Sequence, residues 1–136
     1  MSTIISKNKL FEAQHGSIIK HGIELIGIIN SQGRMINLIG NTDLNLPKDK
    51  KEMFLMKIAL RNSMQKDFDE DLGPVSYCMT LRGNKKYISI PINNDKTILV
   101  VAKKDVDHEQ VIVGIKQLVQ HSQQFLGEKI SSGDLR

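Results

Sequence analysis

Between Met53 and Leu60 the chain reads Met-Phe-Leu-Met-Lys-Ile-Ala-Leu, a segment of helical character that is apolar almost all the way round. A helix that covers one face of a sheet needs one apolar stripe, and a second stripe needs a second partner. On a helical wheel Met53, Met56, Leu60 and Met64 form a long stripe. Phe54, Leu55, Ile58 and Ala59 form a shorter one, flanked by Lys51, Asn62 and Lys66. A core-facing stripe has to persist along a packed helix, so the long stripe is expected to face the sheet and the short one a partner. A chain of 136 residues has little depth in which to bury both. The feature predicts self-association.

The length fits a single domain, with a core over about residues 7–125 and an aperiodic tail over 126–136. Two Tyr, four Phe and no Trp leave the core to Ile, Leu, Val and Met. The net charge of +4 is spread, with Lys and Arg interspersed among Asp and Glu. Without a basic block or stacking residues, this argues against nucleic-acid binding. Cys78 is the sole cysteine, cannot form an intrachain disulfide, and fits a reducing compartment. Met1 to Leu10 lacks an apolar stretch of signal-peptide length, and no apolar run reaches the length of a membrane span. The expectation is a cytoplasmic protein without membrane attachment.

Along the chain, Lys7 to Lys20 is expected as a helix, with Gly16 a weak point within it. Two β-branched runs, Ile23 to Ile29 and Arg34 to Ile39, flank Asn30-Ser31-Gln32-Gly33, a hairpin signal. The second helix starts near Pro47, or at the capping-box pair Asp49 and Glu52, and runs to about Asp67. Val75 to Arg82 alternates apolar and polar residues, as an edge strand with one covered face does. Turns at Gly83-Asn84 and Asn93-Asn94-Asp95 lead into Lys86 to Ile92 and Thr97 to Ala102, completing an antiparallel meander. Pro91 lacks a ladder donor, so it belongs where its strand frays or bulges. Asp107, with Gln110 at capping-box spacing, opens a last helix whose apolar face holds Val111, Ile112, Ile115, Leu118, Val119 and Phe125.

Helix, hairpin, helix, three-stranded meander, helix is an order that resembles the roadblock/LC7 fold, a relative of the longin and profilin-like folds. The resemblance spans about Lys7 to Phe125 and is most distinct from Ile18 to Ile39, where an Ile-Gly-Ile-Ile strand meets an Asn-Ser-Gln-Gly-Arg turn. It implies an α+β fold: a five-stranded antiparallel sheet with two helices on one face and one on the other. It further implies a non-enzymatic homodimeric scaffold or regulatory module, acting with a small Ras-like GTPase or another signalling partner. Pairing would run through the middle helix and third strand. The stretch from Glu52 to Met64, followed by Asp69-Glu-Asp-Leu-Gly-Pro-Val, also resembles an uncharacterised family of small archaeal proteins. A PAS-like small-molecule sensor is the alternative that the same order of elements admits.

On this reading the dimer interface comprises Phe54, Leu55, Ile58 and Ala59 of the helix with Tyr77 and Met79 of the strand. Arg82, Lys85, Lys86, Lys103 and Lys104 gather near two turns as a basic rim suited to phosphates or an acidic partner. The acids Asp67, Asp69, Glu70 and Asp71 have the spacing of a calcium loop, but its sixth and twelfth positions are Leu72 and Cys78 where Gly and Glu are required. His15, His21, His108 and His121 lack metal-site spacing, and no glycine-rich nucleotide cradle occurs. No catalytic residue, cofactor or metal is expected.

Overall fold

A computed structural model describes residues 22–40, 44–93 and 95–121. The helix expected over Lys7 to Lys20, with His15, lies outside these residues, as do His21, Phe125 and the 126–136 tail. Five strands and their connecting helices follow in order: β1 (Ile23–Asn30), β2 (Met35–Gly40), α1 (Lys48–Gln65), a 3-10 turn (Lys66–Phe68), α2 (Asp69–Leu72), β3 (Cys78–Arg82), β4 (Lys85–Asn93), β5 (Lys96–Lys103) and α3 (His108–His121). The strands form one sheet in the order β2-β1-β5-β4-β3, every neighbouring pair antiparallel. This is the α+β arrangement with the five-stranded antiparallel sheet that the order of elements implies.

The first hairpin shows how local chemistry sets the register. Asn30 Oδ1 accepts hydrogen bonds from the backbone N–H groups of Gln32 and Arg34, and the Asn30 carbonyl accepts one from Gly33. Gly33 has φ +81°, and a Cβ there would stand 2.6 Å from Met56 Cα, so the turn touches the backbone of α1.

β1 and β5 lie at the centre and are buried on both faces: Leu25, Ile29, Leu99 and Val101 on one, Ile26, Ile28, Ile98 and Val100 on the other. The first group clusters with Leu55, Ile58 and Ala59 of α1, and Met35, Leu38, Leu44, Phe54 and Tyr87 pack around it. Helix α1 starts after Pro47, whose carbonyl accepts the Lys51 N–H. No side chain caps it, so the alternative start with an Asp49 capping box does not form. Asp49 instead accepts from the next backbone N–H.

Two strand limits carry information. β3 begins at Cys78, three residues later than the alternation suggests. Cys78 pairs with Ser89, so Ser76 would next face Pro91, which has no N–H to donate. The ladder stops there. β4 then shifts register between Pro91 and Asn93, the irregularity expected around this proline.

Two compact units are distinguishable, and everything from Gly22 to Val106 belongs to one of them. Helix α3 belongs to the other. Asp107 Oδ1 accepts hydrogen bonds from the backbone N–H groups of Glu109 and Gln110, the N-cap read from the sequence. Val111, Ile112 and Ile115 are buried, Leu118 and Val119 partly so, and Val113 is exposed.

Candidate interface site

The two stripes of α1 are oriented opposite to the expectation. Leu55, Ile58 and Ala59 are buried in the cluster on the sheet, with Ile58 at 7% exposure. Phe54 is half-buried and meets Tyr87 edge-to-face, with ring centroids 5.8 Å apart. Met53, Met56, Leu60 and Met64 point outward, Leu60 at 56% and Met64 at 60% exposure.

The cause lies in the strands beneath the helix. The sheet opposite the second half of α1 is polar, and the inward face of the helix turns polar with it. Asn62 Nδ2 donates to Thr97 Oγ1 at 2.8 Å, Arg61 Nη2 donates to Ser89 Oγ at 3.1 Å, and the Cys78 thiol donates to Gln65 Oε1 at 3.4 Å. The inward stripe therefore does persist along the helix, as Leu55, Ile58, Ala59, Asn62 and Gln65. Its last members bind through hydrogen bonds, so a count of apolar residues underestimates it.

The outward stripe is longer than Met53 to Met64. The 3-10 turn and α2 extend it with Phe68 and Leu72, both exposed, Leu72 at 81%. A helix ending near Asp67, as the sequence suggests, leaves these two residues out of the stripe. The signal was present: 60, 64, 68 and 72 keep an i, i+4 spacing. Gly73, with φ +87°, ends the segment, and five residues later β3 begins.

Among the described residues β3 is an edge strand, paired only with β4. Of the two strand residues assigned to the interface, Tyr77 is half-buried just before β3 and Met79 is exposed. Register places Met79 and Leu81 with Ile88, on the face away from α1, and both are exposed. Cys78, Thr80 and Arg82 are on the face toward α1. The strand carries neither Pro nor Lys and has a single terminal charge, so little blunts its open edge.

The basic rim is brought together in part. Arg82, Lys85 and Lys103 occupy one cross-strand row over β3, β4 and β5. Lys85 Nζ lies 2.9 Å from Glu24, and that hydrogen bond holds the Lys85 ammonium above its ordinary pKa of 10.5. Lys86 Nζ turns instead to the Val106 carbonyl at 2.7 Å. Lys103 and Lys104 are exposed.

A half-open cleft of about 190 Å³ lies beside the end of α1, lined by Asn62, Gln65, Asp69, Pro74 and Pro91 among others. It is smaller than the usual small-molecule site and more open than the enclosed apolar cavity of a sensor domain. Among the described residues no group of three or more His, Cys, Asp and Glu could hold a metal ion, and no helix is long and apolar enough to cross a membrane.

No protein-family model and no curated protein matches the chain. Solved structures do. MglB of Myxococcus xanthus superposes with a TM-score of 0.67 at 11% identity, covering 93% of each chain. A roadblock/LC7 domain of Streptomyces avermitilis gives 0.63 at 11% identity, covering 83% of this chain and 94% of its own. The gliding protein MglB of Thermus thermophilus gives 0.64 at 8% identity, covering 86% and 88%. The chain has the roadblock/LC7 fold.

Proposed function

We propose that this chain is a non-enzymatic regulatory module that works as a homodimer, joined through the β3 edges and the C-terminal part of the outward helix stripe. The observation that carries the reading is the six-residue exposed stripe from Met53 to Leu72, which runs into an unblunted edge strand. Gln65 already touches Cys78, so the stripe's far end, Met64, Phe68 and Leu72, is the part beside β3. Antiparallel pairing of two β3 strands sets the α1 layers of both copies on the same side of a continuous sheet. Met64, Phe68 and Leu72 then face the second copy, while Met53 and Met56 stay open to a further protein. The partner class that the resemblance supports is a small Ras-like GTPase. Methionine suits such a surface because its flexible thioether adapts to different partners.

Size-exclusion chromatography with light scattering tests the pairing. A dimer at micromolar concentration is expected. Met64→Glu combined with Phe68→Glu should convert it to a folded monomer, because charges would be stranded in an apolar contact. Met53→Glu should leave the dimer intact. A wild-type monomer, or a dimer indifferent to the double substitution, refutes the proposal.

A further inference from the structure

We infer that charge fixes the antiparallel register of this self-association: the basic end of one copy's β3–β4 hairpin meets the acidic α2 turn of the second copy. The inference rests on the homodimer reading above. Its starting point is that the two ends of the hairpin carry opposite charge on the same face.

At one end, Arg82 is in register with Lys85, and Lys85 with Lys103. Side chains alternate along strands, and Val101 belongs to the cluster under α1, so Lys103, Lys85 and Arg82 share the face that α1 covers. Three like charges side by side repel unless countered, and Glu24 answers Lys85. Arg82 is exposed, outermost on the edge strand, and pairs with no carboxylate among the described residues.

At the other end, Asp69 lines the cleft together with Pro91, Ile92 and Asn93, the last residues of β4. Asp67, Glu70 and Asp71 are exposed beside it. Lys85 and the Pro91–Asn93 end are separated by roughly 20–26 Å along the strand at 3.3 Å per residue. The open edge is thus flanked by cations at one end and carboxylates at the other.

A two-fold pairing through β3 makes this polarity self-complementary. With the dyad perpendicular to the sheet, each Arg82 end lies alongside the partner's α2 turn, and the contact occurs twice. Parallel pairing would set Arg82 beside Arg82 and acids beside acids. Exposed charges contribute little raw affinity, but like-charge juxtaposition discriminates between registers and makes the association sensitive to salt.

Sedimentation analysis of the full chain at about 50 mM and 500 mM NaCl tests the inference. The wild-type dissociation constant should rise about tenfold with salt, as two weak exposed ion pairs imply. Arg82→Glu should weaken the low-salt dimer by a similar factor and remove or invert the salt dependence. Arg82→Gln, which only deletes the charge, should fall between them. Adding Glu70→Lys and Asp71→Lys to Arg82→Glu should restore the low-salt dimer. Far-UV circular dichroism confirms folding throughout, since all these side chains are exposed. A dimer whose constant ignores salt and Arg82→Glu, or a charge-swapped variant that fails to recover, overturns the inference alone. A wild-type monomer at every concentration overturns the homodimer reading with it.

Discussion

Replacing Ile58 and Leu60 by alanine, one at a time, separates the two orientations of α1 by a difference large enough to measure. Both substitutions remove about three carbon atoms from one helix, two positions apart. Ile58 is 7% exposed and lies in the cluster with Leu25, Ile29, Leu99 and Val101. At ~0.8 kcal/mol per buried methylene the lost transfer energy is roughly 2.5 kcal/mol, and the cavity left behind brings the cost to about 3 kcal/mol. Leu60 is 56% exposed, so less than half of its burial is at stake, and alanine is the better helix former. Its cost is expected below about 1 kcal/mol. Urea unfolding followed by far-UV circular dichroism resolves such a gap, which corresponds to about 10 °C in melting temperature for a domain of this size. Repeating the titration over a range of protein concentrations isolates any contribution from association, to which the buried Ile58 should add nothing of its own. A cost near 3 kcal/mol for Leu60→Ala at every concentration, with Ile58→Ala nearly neutral, would show that the helix is turned the other way.

Two further perturbations test how α1 and the basic row are held. Gly33→Ala places a Cβ against the backbone of Met56 at a residue with φ +81°, and should cost about 2–3 kcal/mol by urea unfolding. Gly83→Ala, at φ +60° with nothing within 4 Å of the new carbon, should carry only the conformational part, about 1 kcal/mol. The Glu24–Lys85 pair predicts a pH dependence of defined sign. Its hydrogen bond raises the folded-state pKa of Lys85 above 10.5, so the folded chain holds that proton more tightly than the unfolded one. The stabilisation is complete below pH 10.5 and fades as the pH rises through the folded value. Glu24→Gln should therefore lower the urea midpoint by a constant small amount between pH 7 and about 9.5, and the gap should close above pH 11. A gap that widens in alkali would contradict the assignment.

Most of the sheet is legible in the residues because its signals are local. Asn30 and Gly33 close the first hairpin through bonds that span only a few residues, and the β-branched runs beside them have no competing structure. β1, β2, β4 and β5 accordingly begin and end within a residue or so of the sequence expectation. β3 is the exception, and its cause is distant in sequence: its ladder is cut by Pro91 on the neighbouring strand. Pairing determines how far a strand extends, and a strand's own alternation carries no record of its neighbour's missing donor.

The inside and outside of α1 were hidden for a related reason. Apolar persistence favours the stripe Met53, Met56, Leu60 and Met64, yet inward positions can be held equally well by hydrogen bonds where the underlying strand is polar. Ser89, Thr97 and Cys78 supply that polar floor, and only the sheet register brings them under Arg61, Asn62 and Gln65. The consequence reaches beyond orientation. Leu55, Ile58 and Ala59 are spent on the chain's own core, so a charge introduced at Ile58 would test folding rather than association. The surplus apolar surface that suggests a partner is carried instead by Met53, Met56, Leu60, Met64, Phe68 and Leu72. That stripe is longer than the one first assigned, is rich in a side chain that tolerates varied neighbours, and ends beside the open edge of β3. A helix that turns Leu55 and Ile58 inward and its three methionines outward joins a fixed packing to an adaptable surface.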